Sequence, residues 1–86
     1  MKLNNDFILH NDGDKTFLIP TGNAKFSGVV RGNKTFNDVV ELLKDDITEE
    51  KIIQTMHEKY DAPDGIIERD VKKILANLHE IGAIID

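Results

Sequence analysis

The sequence predicts an α+β, winged-helix-like domain: an N-terminal β-hairpin plus a short third strand, three helices, and a short C-terminal strand. Three observations carry that expectation. Two β-prone apolar runs near the start flank a glycine-containing polar turn. From Thr35 the apolar residues switch to helical spacing. The last helical pattern stops at Gly82 and leaves a short apolar tail.

The hairpin is read from "FILH", "NDGD" and "KTFLIP", in which Asn11 to Asp14 form the turn. The glycine-punctuated stretch "TGNAKFSGVVRGN" follows, with Val29 and Val30 as the centre of a third strand over Ser27 to Arg31. A strand so short is expected at a sheet edge. Phe36, Val39, Val40 and Leu43 then recur at i, i+3, i+4, i+7, and Thr35 with Asp38 resembles a capping box at the start of the first helix. Thr48 is placed to cap a second helix ending near Tyr60, with Ile47 and Ile52 spaced as a hydrophobic staple. After "DAPDG", Asp64 is expected to cap the third helix. Ile67, Val71, Ile74, Leu75, Leu78 and Ile81 give that helix the cleanest apolar stripe in the chain, and Gly82 suits the left-handed position just past its end.

Composition bounds the function. The 86 residues are 40% apolar and 31% charged, which fits one folded domain spanning residues 1–86. No window approaches the roughly 20 apolar residues of a membrane span, and no secretory h-region is present, so a cytoplasmic location is expected. The absence of cysteine removes thiolate metal sites, thiol nucleophiles and disulfides. The net charge of −5 opposes nonspecific attraction to phosphate backbones.

No catalytic constellation stands out. His10, His57 and His79 have no metal-ligand partner at i+3 or i+4 apart from acids that read as solvated faces, and Glu58 beside His57 and Glu80 beside His79 point elsewhere on a helix. Gly28 and Gly32 are spaced G-x-x-x-G without the lysine and hydroxyl residue of a phosphate-binding loop. The expectation is a non-enzymatic protein without cofactor or metal. A helix followed by a wing also suits a nucleic-acid-binding transcriptional regulator. Against that alternative, Arg69, Lys72 and Lys73 on the third helix face Asp64, Glu68, Asp70 and Glu80, three bases against four acids. A duplex reader makes on the order of 6 to 10 phosphate contacts, and its affinity falls steeply with salt.

The segment "TEEKIIQTMHEKYDAPDGIIERDVKKILANLHEIGAI" resembles the PqqD-like family: Thr48 as a helix cap, the Tyr60-Asp61 break, and Asp70-Val71 leading into a helix that ends in Leu75, Leu78, Gly82 and Ile84. Upstream, Asn33 and Thr35 match the family's Leu-Asn-x-Thr pattern, while Gly32 stands where a leucine is usual. Members are small wing-helix domains, called peptide recognition elements, that bind the leader segment of a ribosomally made precursor peptide. They present it to a modifying enzyme, often a radical S-adenosylmethionine enzyme, and in the founding case serve pyrroloquinoline quinone synthesis. The resemblance implies that the leader adds as a strand to the third-strand edge and lies against the third helix.

The residues support that physics independently. An edge strand offers unpaired N–H and C=O groups to an incoming strand, and Ser27, Gly28, Val29, Val30 and Arg31 are the segment placed to do so. Val71, Ile74 and Leu75 are expected to form the groove floor. Ile66, Asp70, Lys73 and Asn77, at i, i+4, i+7, i+11, make one flank beside them. The expected partners are a leader peptide and its modifying enzyme. The same open edge could pair with a second copy, so a weak or strand-exchanged homodimer is expected at high concentration.

Overall fold

The computed structural model describes residues 1–86. The strands are β1 (Lys2–Leu3), β2 (Phe7–Asp12), β3 (Lys15–Pro20), β4 (Val30–Gly32) and β5 (Ile84–Ile85). The helices α1 (Lys34–Leu42), α2 (Glu49–Lys59) and α3 (Ile66–Glu80) lie between β4 and β5. The expected α+β architecture of hairpin, short third strand, three helices and terminal strand is present.

β2, β3 and β4 form an antiparallel sheet in that order, so β4 is an edge. Leu9 pairs with Leu18 and Leu18 with Val30, which sets one row of apolar side chains toward the helices. Ile8 pairs with Ile19 on the opposite, exposed face. Successive strand residues face opposite ways, so this register fixes which residues reach the core. A second, two-stranded sheet pairs β1 with β5, Leu3 opposite Ile84. β1 was not expected: two residues carry no periodicity, and their pairing depends on a segment at the far end of the chain.

The core is one cluster in which Leu18 joins Val39 and Val40 of α1, Leu43 at its C-terminal cap, Ile52 and Met56 of α2, and Val71, Leu75 and Leu78 of α3. All of these are essentially inaccessible to water. Removing that much aliphatic surface from water is the main stabilising contribution, at about 1.5 to 3 kcal/mol per large side chain.

Three local expectations are corrected. The third strand begins at Val30, not Ser27, because Gly28 turns the backbone to φ 119, a conformation unlike an extended strand. At α1 the cap is Asn33, whose side chain accepts from the Phe36 N–H at 3.0 Å. Thr35 therefore does not cap, and Asp38 is buried rather than facing the helix start. At α3 the cap position is Gly65 in the left-handed region, with no side-chain cap from Asp64. The turn closes instead through the Ile66 N–H donating to the Pro63 carbonyl at 3.2 Å, and the backbone before the helix must then take a φ of 84 that glycine tolerates.

Other helix signals hold. Thr48 accepts from the Lys51 N–H at 3.1 Å, and Gly82 lies in the left-handed region at φ 79 just past α3. Its neighbour Ala83 donates to the Leu78 carbonyl at 2.8 Å, which ties off the helix end and directs the chain into β5.

Candidate functional site

β4 leaves its unpaired side toward α3. Between them runs an open groove of about 650 Å³ that also takes in the start of α1 and the tip of the hairpin. Arg31, Asp70, Lys73, Ile74 and Asn77, all expected at the site, line it together. The rest of its lining was not foreseen: Asp14 and Lys15 from the hairpin, and Gly32, Asn33, Thr35 and Phe36 from the β4–α1 junction. A sequence signal existed for the junction, because Asn33 caps α1 and so pins the helix start to the end of β4.

The other expected residues lie elsewhere. Ser27, Gly28 and Val29 precede the strand and border a separate shallow depression with Ile19 and Phe26. Val30 is half-buried on the inward face of the sheet. Val71 and Leu75, expected in the groove floor, are 0% and 2% exposed and belong to the core. Along a helix each residue is rotated by about 100° from the last, so Val71 turns inward while Asp70 beside it faces the groove. Ile66 joins Val71 in a smaller cavity deeper among the helices.

Electrostatically the groove differs from the molecule as a whole. Lys15, Arg31 and Lys73 line it against Asp14 and Asp70, three cations to two carboxylates in a chain of net charge −5. None of the three cations is in an ion pair, while Asp70 lies 3.7 Å from Arg69. The groove thus presents free positive charge beside an open strand edge.

Gly32 explains how the β4–α1 junction accommodates the missing leucine. A Cβ on Gly32 would overlap the Phe36 ring, which is itself only 8% exposed. The ring of Phe36 occupies the space a side chain at position 32 would take.

Behind the groove, Tyr60 donates its hydroxyl to Asp38, and Lys59 Nζ lies 3.2 Å from the same carboxylate. Burial pushes the Asp38 carboxyl up, but the Tyr60 hydrogen bond and the Lys59 ammonium outweigh it and leave the group below its usual 3.8. The bond to Asp38, aided by burial, holds the Tyr60 phenol above 10.0. This clip therefore contributes stability that is present above pH 3.8 and is lost as pH falls through the lowered Asp38 value. On the alkaline side its contribution is lost as pH rises beyond 10.0 through the raised Tyr60 value. His57 and Glu68 join α2 to α3 at 2.8 Å, and the hydrogen bond to His57 lowers the Glu68 carboxyl. No group of three or more His, Cys, Asp or Glu residues is arranged to hold a metal ion, and no helix is long and apolar enough to cross a membrane.

Comparison with known proteins agrees with this architecture. Among solved structures, that described as TbiB1 in complex with the TbiA(beta) leader peptide superimposes with a TM-score of 0.78, covering 100% of both chains at 17% identity. At that identity the likeness establishes a shared fold. No curated protein sequence matches the chain. The family profile described as coenzyme PQQ synthesis protein D matches residues 8–84, nearly the full length and including both walls of the groove. The chain therefore belongs to the coenzyme PQQ synthesis protein D family.

Proposed function

We propose that this protein is a non-catalytic recognition element that captures the leader segment of a ribosomally made precursor peptide and presents it to a peptide-modifying enzyme of the radical S-adenosylmethionine type. The observation that carries this reading is the position of β4: a three-residue edge strand whose open side borders a groove walled by α3. An extended peptide entering there gains main-chain hydrogen bonds from β4, and its alternate side chains face α3. Family membership supports the reading, as does the fold shared with a protein solved with a leader peptide bound. Ser27, Gly28 and Val29 would then guide the peptide at the start of β4. Arg31, Asp70, Lys73, Ile74 and Asn77 would line its path, with Val30, Val71 and Ile66 supporting the groove from beneath.

The test uses proline, which cannot donate a hydrogen bond. Successive N–H groups along a strand point to opposite sides, so of Val30→Pro and Arg31→Pro one deletes a donor toward β3 and the other a donor toward the groove. A peptide selected from a displayed random library by the intact chain is titrated against both variants, with circular dichroism following the fold. The expected result is that at least one variant stays folded and loses binding. Two folded proline variants that bind as tightly as the parent rule out strand addition. Affinity that instead tracks duplex DNA and collapses with salt favours the nucleic-acid alternative.

A further inference from the structure

We infer that the small apolar cavity where the three helices meet is an anchor pocket for one uncharged apolar side chain of the bound peptide, of leucine to phenylalanine size. The inference rests on the strand-addition reading for its peptide and on independent geometry for its pocket. The cavity holds about 170 Å³. An apolar protein cavity of roughly 150 Å³ stays dry and accepts benzene, so this volume suits one aliphatic or phenyl group.

Its lining differs in kind from that of the groove. Six of its nine residues are apolar, against two of eleven in the groove. A peptide lying along β4 therefore meets mostly polar surface, and this cavity offers the concentrated apolar contact. The two spaces adjoin, because Thr35 and Asp70 line both. The floor is fixed: Met56, Ile67 and Val71 are core residues at 1%, 6% and 0% exposure. One wall is the Tyr60 ring, held through its hydroxyl on Asp38, with the Lys34 ammonium 5.8 Å from the ring centroid. Walls already held in place spare the ordering cost that binding would otherwise incur. The carboxylates Asp61 and Asp70 at the lining oppose an acidic side chain, and the six apolar side chains offer no free hydrogen-bond partner to offset the desolvation of any charged group placed among them, so the anchor is apolar and uncharged. Ala62, in the short segment between α2 and α3, contributes the smallest side chain and leaves the space open.

The pocket is tested on the intact chain by methyl NMR with N-acetyl-leucinamide and N-acetyl-aspartamide as probes. The leucine probe is expected to shift the methyl signals of Met56, Ile66, Ile67 and Val71, while Ile8 and Ile85, exposed on other surfaces, stay unmoved. The aspartate probe should leave all of them unmoved. Ala62→Leu fills the space and should erase the shifts. Ile66→Ala enlarges it and should move the preference from the leucine probe to N-acetyl-phenylalaninamide, a reversal that partial unfolding does not produce. In the library-selected peptide, one apolar residue replaced by alanine should weaken binding about ten- to hundredfold, and should cost little in the Ala62→Leu background. Leucine-probe shifts that survive Ala62→Leu, or a peptide bound on β4 in which every apolar residue is dispensable, overturn the anchor. Leucine-probe shifts in a protein whose folded proline variants still bind peptide support the anchor and remove strand addition instead.

Discussion

The two sides of α3 differ as sharply as any two regions of this molecule. One side carries Ile67, Val71, Leu75 and Leu78, none more than 6% exposed and all in the central cluster. The other carries Asp70, Lys73, Ile74 and Asn77, half-buried or exposed along the groove. They interleave along one fifteen-residue helix. The lesson is that support and recognition are separated by rotation about an axis rather than by distance in sequence. Neighbouring substitutions should therefore have unrelated consequences.

The largest effect is expected on the inner side. Leu78→Ala leaves a cavity among residues that cannot collapse around it and should destabilise the chain by about 2 to 5 kcal/mol. Thermal unfolding would register this as a fall of roughly 4 to 8 °C per kcal/mol for a domain of this size. A variant melting with the parent would mean that the inner stripe is not what holds α3 in place.

An intermediate effect is expected where the groove meets the core. Gly32→Leu restores the residue usual in the family but drives a side chain into the Phe36 ring, and overpacking of this kind costs about 1 to 3 kcal/mol. Combining it with Phe36→Ala should recover part of the loss, since the new leucine fills the space the ring vacates. Denaturant titration of the two single variants and the double variant gives the coupling energy. Strict additivity would show that the two positions do not compete for one volume.

The smallest effect on stability belongs to the outer side. Lys73→Glu lies on an exposed flank outside any ion pair, so its unfolding free energy should change by no more than about 0.5 kcal/mol. Its consequence should appear in binding: a peptide with an acidic residue opposite that position should bind more weakly by about tenfold or less. Calorimetry against such a peptide checks this. Destabilisation comparable to that of Leu78→Ala would erase the contrast between the two sides.

Much of this contrast was legible in advance. Asp70, Lys73 and Asn77 of the flank and Ile74 of the floor come to one groove with Arg31, as helical spacing implies, whereas Ile66, expected on the same flank, lines the smaller cavity instead. Val71 and Leu75 were misplaced because an apolar stripe does not reveal where its edge lies; only the packing of α1 and α2 against α3 settles which apolar residues face inward. The strand edge was found but displaced, since the left-handed turn at Gly28 has the same composition as a strand-end glycine.

The sequence by itself determined the order of elements from β2 onward, the helical stripes, the Thr48 cap and the glycine stop at Gly82. Each of these depends on residues within a turn or two of one another, where spacing and backbone preference act directly. Tertiary structure alone decided the pairing of β1 with β5, the burial of Asp38 beneath Tyr60, the filling of the Gly32 space by Phe36, and the apolar cavity beside the groove. In each case the outcome depends on which surfaces meet once the core closes, and local preferences along the chain carry no information about that meeting.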